Sequence, residues 1–333
     1  MTFKIAVYGV RSNEVAYFND LNKYDYTLTL ISENLTHENV ETAKGHDAVL
    51  LRANNVADKQ NLDILNSYGI KYVFSRTVGI GHVDLSAAAA NNQIVANVPG
   101  YSPRAVGELA FILGATQLRH VVQAADNTYK GDFVVAPELF ATEIHDVTVG
   151  IFGTGSLGRA EAKLWHALGA NVIAYDVYEN EEAKEYLTYT SENEVLSQAD
   201  LVSLHVPHIP GKNDQYFNAD YINQMKKGAI LVNTARAEIT DENAIIAAVK
   251  SGQLGGFATD VVSDERMVIG KDFSGKSTPV PVVDEMRALY PKVLITPHIG
   301  SYTGEALTDM ISISFDNFHD VLESGNSKNI VKS

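Results

Sequence analysis

Residues 148–176 read TVGIFGTGSLGRAEAKLWHALGANVIAYD. A short apolar strand pattern runs into G-x-G-x-x-G as Gly153, Gly155 and Gly158, and a helical pattern opens inside the motif. Alone the glycine triplet is weak evidence, but between a strand and a helix each glycine has a task. The first makes a tight turn, the second lets backbone approach a pyrophosphate, and the third lets the helix pack on the strand. The pyrophosphate would rest on the N–H groups running from Gly153 through Thr154, Gly155, Ser156 and Leu157 to Gly158. Asp176 lies 18 residues past Gly158, at the end of the next strand, where it can accept hydrogen bonds from ribose hydroxyls. A carboxylate there repels a 2′-phosphate, so the stretch predicts an NAD site rather than an NADP site. A second glycine pair, Gly79 and Gly81 in VGIGHVD, has Asp84 at the third position and no clear helix start after it, and is read as a decoy.

The same strand-then-helix alternation continues on both sides. KIAVYGV, YTLTLI, DAVLL, KYVFSRTVG and QIVANV precede the motif, and DLVSLHVP, AILVNTA, GFATDVV and VLITPHIG follow NVIAYD. This is the βαβ pattern of parallel sheets, one per domain. SPRAVGELAFILGATQLRHVVQAADNTY, with Ser102 and Pro103 as capping and first-turn residues, predicts one long helix carrying the chain between domains. TGEALTDMISISFDNFHDVLES predicts a second long helix that crosses back, and the tail GNSKNIVKS has no strong pattern. SDERMVIGKDFSGKSTPVPVVDEM reads as a long surface loop.

Length and charge bound the rest. The 333 residues suit two domains of about 150 residues each, which implies a cleft. A net charge of -15 disfavours nucleic acid and anionic membranes as partners. The absence of cysteine excludes disulfides, thiolate metal sites and a cysteine nucleophile. The opening MTFKIAVYGV carries no leader pattern and no apolar run is long enough to span a bilayer, so a soluble, cytoplasmic protein is expected.

Strands of an open parallel sheet point their carboxyl ends at the ligand crevice. Arg236, Glu265 and His298 follow such ends, after AILVNTA, GFATDVV and VLITP. Reducing a carbonyl needs a hydride, which a nicotinamide supplies, and a proton donor for the developing alkoxide. Histidine suits that role because its ordinary pKa, about 6.5, lies near neutrality. A neighbouring carboxylate would raise it and fix the ring, and an arginine can grip a substrate carboxylate with two prongs. Singly, each is more often a solvated or structural side chain. His205 and His208 in LHVPH have a spacing that could suggest metal, but no third ligand is apparent and the segment reads as a loop lining the cofactor. No metal is expected.

GTGSLGR, Asp176, LHVP, NTAR, DVVSDE and ITPHIGSYT, in this order and spacing, resemble the NAD-dependent D-specific 2-hydroxyacid dehydrogenases over essentially the whole chain. YGVRSNE and NVPGYSP resemble the D-lactate and D-hydroxyisocaproate branch. The resemblance implies Arg236 as carboxylate-binding residue, Glu265 as orienting acid and His298 as acid/base. It implies a backbone cradle at Val78 and Gly79, with Tyr101 and Tyr302 as further substrate contacts. Val206, Pro207, Thr234, Ala235, Arg236, Asp260 and His298 join the glycine loop and Asp176 around NAD. It also implies two Rossmann-like domains, an NAD-binding domain at 102–299 inserted into a discontinuous substrate domain at 1–101 and 300–333, and a homodimer formed through the inserted domain.

Three positions depart from the family pattern. An acid is usual two residues after the Val-Gly pair, where this chain has Gly81 and then His82, and Gly300 stands where alanine is usual. Arg52, at the end of AVLLRANN, replaces an aromatic residue and looks like the (R)-2-hydroxyglutarate dehydrogenase offshoot, which implies a distal carboxylate on the substrate. The competing expectation is a non-catalytic NAD(H)-sensing scaffold or corepressor on the same fold.

Overall fold

The computed structural model describes residues 2–331. Met1, Lys332 and Ser333, which the expected domain ranges include, lie outside the described residues. The chain divides into two compact units, one built from residues up to Ser102 together with those from Tyr302, the other spanning Pro103–Ser301.

The first stretch runs β1 (Lys4–Val7), α1 (Val15–Asp20), β2 (Thr27–Leu30), β3 (Ala48–Leu51), α2 (Lys59–Ser67), β4 (Tyr72–Ser75), α3 (Leu85–Ala90) and β5 (Ile94–Ala96). These five strands form one parallel sheet in the order β2-β1-β3-β4-β5. β3 is buried along its whole length, as an all-apolar strand must be when both sheet faces are covered. A helix does follow the decoy glycines: α3 starts at Leu85, and the Asp84 side chain accepts the Ala87 N–H at 2.9 Å. The decoy's third residue thus fills its own helix terminus with a carboxylate, where an anion would otherwise sit.

The second unit comprises α4 (Pro103–Leu118), α5 (Val121–Tyr129), β6 (Thr148–Phe152), α6 (Ser156–Ala167), β7 (Asn171–Tyr175), β8 (Thr188–Tyr189), α7 (Glu192–Gln198), β9 (Leu201–Leu204), α8 (Ala219–Gln224), β10 (Ala229–Asn233), α9 (Glu242–Ser251), β11 (Leu254–Thr259), α10 (Glu265–Val268), α11 (Pro281–Arg287) and β12 (Val293–Ile295). Its sheet has seven strands in the order β12-β11-β10-β9-β6-β7-β8. Apolar side chains of α4 and α6 cover one face, and those of α7 to α9 and α11 the other. The expected single helix from Ser102 to Tyr129 is two, because His120 adopts a left-handed conformation, φ 51°, between α4 and α5. The expected loop at 263–286 holds α10 and the start of α11, the latter opening on Pro281, a residue suited to a first helical turn.

The chain then forms α12 (Gly304–Ser324), capped by Thr303, whose side chain accepts the Ala306 N–H. Leu307, Ile311, Phe315, Phe318 and Val321 follow helical spacing and bury against Ile5, Val7, Leu50 and Phe74 of the five-stranded sheet. The tail pairs with β5, Val331 N–H donating to the Val95 carbonyl at 2.9 Å. Among the described residues no helix is long and apolar enough to cross a membrane.

Candidate active site

Counted from β6, the seven-stranded sheet turns back between β6 and β9, so the loops leaving those two strands flank the switch point where open α/β sheets take ligands. The glycine loop leaves β6. Gly153 has φ 91°, and a Cβ there would lie 2.8 Å from the His205 carbonyl carbon. A Cβ on Gly158 would overlap the Gly153 carbonyl oxygen. A Cβ on Gly155 would meet no protein atom within 4 Å, so nothing in the chain itself demands glycine there, which fits close approach by a ligand. Gly155 is the N-cap of α6 and offers no capping side chain, so the first-turn N–H groups suit a pyrophosphate. Asp176 is half-buried past β7 and accepts from Thr154 N at 2.5 Å, Thr154 Oγ1 at 3.0 Å and Tyr178 N at 3.0 Å. Val206 and Pro207 leave β9 beside this loop, and Thr234 Oγ1, past β10, is buried with no protein partner. The residues present fit a dinucleotide.

Arg236, Glu265 and His298 follow β10, β11 and β12 in the same unit. His298 Nδ1 and Glu265 Oε2 are 2.9 Å apart. That hydrogen bond raises the His298 pKa above its usual value, against the opposing effect of burial. Burial pushes Glu265 up, but the hydrogen bond and the charges of His298 and Arg236 outweigh it, and its pKa is lowered. The Arg236 guanidinium is exposed and donates to the Ala235 carbonyl at 2.7 Å. Its backbone is set by Asn233, whose amide donates to the Arg236 carbonyl and accepts from Ala235 N.

His298 stands at φ 54°, a conformation a non-glycine residue holds only when its surroundings enforce it. Asp260 is the enforcer. Its buried carboxylate accepts from Thr296 Oγ1 at 2.6 Å, Ile299 N at 2.8 Å and Gly300 N at 2.7 Å. A Cβ on Gly300 would lie 3.0 Å from Asp260 Oδ2, a tight contact that alanine would meet only if that carboxylate shifted by a few tenths of an ångström. Sequence reasoning missed two supports of Glu265. Asp264 has φ 50° and turns the chain into α10, and Glu242 accepts the Ser263 N–H at 2.9 Å. Aspartate tolerates the left-handed region, so Asp264 directly before the candidate acid was a usable signal. Glu242, at the start of α9, looks like an ordinary first-turn acid; burial raises its pKa.

The two histidines of LHVPH have separate partners, Glu161 for His205 and Asp214 for His208. Among the described residues no group of three or more His, Asp or Glu is placed to hold a metal.

In the other unit, Arg52 follows β3 and Arg76 follows β4. Both donate to the Gly9 carbonyl, at 3.3 and 3.0 Å. Arg76 is buried and paired with Glu14 at 2.8 Å, whereas Arg52 has no carboxylate within ion-pair distance among the described residues. Burial first, then the charges of Arg76 and Arg11, push the Arg52 pKa down to about 10, so it stays charged at neutral pH. Arg11 stacks over the Tyr302 ring at 4.3 Å, and Tyr302 donates to Asn13 Oδ1 at 2.9 Å. The carbonyls of Val78 and Gly79 accept from Asn97 Nδ2 and Thr77 Oγ1, both at 2.7 Å. Tyr101 is half-buried. His82, where an acid was expected nearby, is buried and 3.1 Å from Ser75 Oγ.

The family model described as "D-isomer specific 2-hydroxyacid dehydrogenase, NAD binding domain" matches residues 109–300. The chain is 33% identical to a D-2-hydroxyacid dehydrogenase (NAD(+)) of Clostridioides difficile, covering 98% of this chain and 99% of the relative. A D-lactate dehydrogenase from Treponema pallidum superposes with a TM-score of 0.91 at 30% identity, covering 99% of this chain and 100% of that one. The NAD-complexed D-isomer specific 2-hydroxyacid dehydrogenase of Lactobacillus delbrueckii ssp. bulgaricus superposes with a TM-score of 0.86 at 32% identity, covering 98% and 100%. The chain belongs to the D-isomer specific 2-hydroxyacid dehydrogenases, NAD-dependent oxidoreductases that act on a CH–OH group.

Proposed function

We propose that the protein interconverts a 2-keto acid and the corresponding D (R) 2-hydroxy acid, with Arg236, Glu265 and His298 as its catalytic residues. The observation that carries this reading is the 2.9 Å contact between His298 and Glu265, within reach of the charge of Arg236. When bound, NADH supplies the hydride for the carbonyl carbon, and NAD takes it back in the reverse direction. Gly153 to Gly158, Asp176, Val206, Pro207, Thr234, Ala235 and Asp260 are the residues that would hold it.

His298 works from the nitrogen that Glu265 leaves free. With Nδ1 turned to the carboxylate, Nε2 protonates the carbonyl oxygen in reduction and accepts the hydroxyl proton in oxidation. Arg236 grips the substrate's own carboxylate and polarises the adjacent carbonyl. Val78 and Gly79 (through backbone N–H), Tyr101 and Tyr302 supply the remaining substrate contacts. Residues 102–299 form the NAD-binding domain, and residues 1–101 with 300–333 the substrate domain.

Arg52 sets the substrate class: a guanidinium with no carboxylate within ion-pair distance among the described residues, and repelled by Arg76 and Arg11, favours a second carboxylate, as in 2-oxoglutarate. Arg52 is half-buried: left dry beside an uncharged side chain it would cost a few kcal/mol, whereas in a wet pocket its charge is solvated and lactate remains a good substrate. Lactate or another monocarboxylic acid is the competing substrate. The protein is read as a cytoplasmic homodimer joined through the NAD-binding domain. The run of exposed apolar side chains at Tyr129, Phe133, Val134, Val135 and Phe140 supports the dimer, since soluble chains seldom leave such a patch uncovered. NADH oxidation assayed with pyruvate, phenylpyruvate and 2-oxoglutarate tests the activity and ranks the substrates. NADH binding without turnover of any 2-keto acid would instead favour a sensing scaffold.

A further inference from the structure

We propose that Glu161 is a positioning residue that fixes the two loops of the dinucleotide site against each other, an inference that rests on reading Gly153–Gly158 as the NAD site. Glu161 lies on α6, the helix that the glycine loop opens. Its carboxylate accepts three hydrogen bonds: from Trp165 Nε1 at 2.9 Å on the same helix, from Ser203 Oγ at 2.6 Å in β9, and from His205 Nε2 at 2.5 Å just past β9. The side chains of Glu161 and His205 are both 0% exposed. His205 Nδ1 is buried with no protein partner. A second ring proton would leave a buried N–H donor unsatisfied there, so these contacts assign a neutral ring with its proton on Nε2, facing the carboxylate.

The three donors come from the two elements that shape the site. α6 carries the glycine loop, and β9 leads through His205 into Val206 and Pro207. The His205–Val206 peptide lies so close to Gly153 that a Cβ there would come within 2.8 Å of one and 2.9 Å of the other. Glu161 therefore joins the walls on either side of the β6/β9 switch point, while Asp176 joins the loop to the end of β7 through Thr154. Stability alone does not explain an acid at this place, because replacing all partners of a buried hydrogen-bonded cluster by apolar side chains of the same shape can be nearly neutral. A carboxylate meeting three donors of set direction specifies a geometry that apolar packing does not.

Trp165 is the single tryptophan of the chain, which makes the network directly observable. The experiment uses the full-length protein with NADH as probe: calorimetric Kd, steady-state kinetics, and the Trp165 indole N–H resonance. In Glu161→Gln, an NH2 group replaces one acceptor oxygen and confronts a donor. The expected result is a rise of about tenfold in NADH Kd and KM, the loss of roughly one charged hydrogen bond. kcat at saturating NADH stays within about threefold, KM for the 2-keto acid stays within about twofold, and the indole resonance moves. Ser203→Ala, which removes one donor and leaves the charge satisfied by two, raises NADH Kd about threefold and decides the matter if the first variant does not fold. NADH affinity unchanged in the folded variants overturns the proposal. So does a loss of apparent kcat in proportion to the folded fraction with both KM values unchanged, the mark of a purely structural group. Wild-type protein that fails to bind NADH overturns the dinucleotide reading and this inference with it; wild-type binding with unchanged variants overturns the inference alone.

Discussion

The two parallel sheets reverse strand order at equivalent places and set different groups there. In the unit spanning Pro103–Ser301 the reversal lies between β6 and β9, and the anion site is made of backbone: glycines that admit a close approach and an uncapped helix start. The charged side chains nearby, Asp176 and Glu161, are acids occupied in holding that backbone. In the split unit the reversal lies between β1 and β3, and the loops there carry Arg52 and Arg76 around the Gly9 carbonyl. A backbone cradle is insensitive to most side-chain exchange. A guanidinium is replaceable in one step. On the proposed reading, cofactor recognition should therefore tolerate little sequence change at its glycines, whereas a preference set by Arg52 should move with a single substitution.

The largest effect expected lies in neither cradle. His298→Ala removes the proposed proton donor, and kcat for reduction should fall about 10³-fold, within the range typical of general acid–base catalysis. Calorimetric NADH affinity should stay within about twofold. Equal turnover in the variant would remove His298 from the chemistry. Next comes Gly158→Ala, which presses a Cβ into the Gly153 carbonyl oxygen. Overpacking of ~1–3 kcal/mol corresponds to a rise of about 5- to 150-fold in NADH Kd, or an equivalent loss of stability read in thermal unfolding. Unchanged Kd and unchanged unfolding would refute the account of the loop.

The glycine loop was legible because its constraint is local: strand, turn and helix are consecutive in sequence. The same holds for eleven of the strands, whose apolar runs end at polar turns, and for the places of Arg236, Glu265 and His298 just past β10, β11 and β12. β8 escaped notice because two residues carry no periodicity, and the break at His120 because neither proline nor glycine marks it. Long-range pairing was equally hidden. Nothing in the spacing of Glu161 and His205, or of Glu242 and Ser263, states that they meet. Nor does the sequence show that the Asp260 carboxylate accepts three hydrogen bonds from the turn that carries His298.

Arg52→Tyr separates the two switch points directly. If the guanidinium meets a distal carboxylate, the ratio of kcat/KM for 2-oxoglutarate to that for pyruvate should fall about tenfold, the worth of one hydrogen bond to a charged group. NADH Kd should not move, since the dinucleotide cradle contains no part of that side chain. A ratio unaffected by the change would dispose of the second carboxylate and leave Arg52 as a structural neighbour of Gly9.

The smallest and most diagnostic shift concerns Glu265→Gln. The hydrogen bond from Glu265 holds the His298 pKa above its ordinary 6.5, while burial pulls the other way. A raised histidine pKa stabilises the fold fully below 6.5 and loses that contribution as pH rises through the folded value; the lowered Glu265 pKa contributes above its ordinary 4.5 and is lost as pH falls through its folded value. The ionised pair is therefore strongest between the two folded values, and reduction, which needs the imidazolium, declines as pH rises through that of His298. Glutamine keeps an acceptor for the ring but removes the charge, leaving burial to dominate. The alkaline limb of the kcat profile for reduction should then move to lower pH. At pH values well below the limb the variant should approach wild-type turnover, because the ring is protonated in both. A limb that stays in place would mean that the carboxylate orients the imidazole without setting its proton affinity.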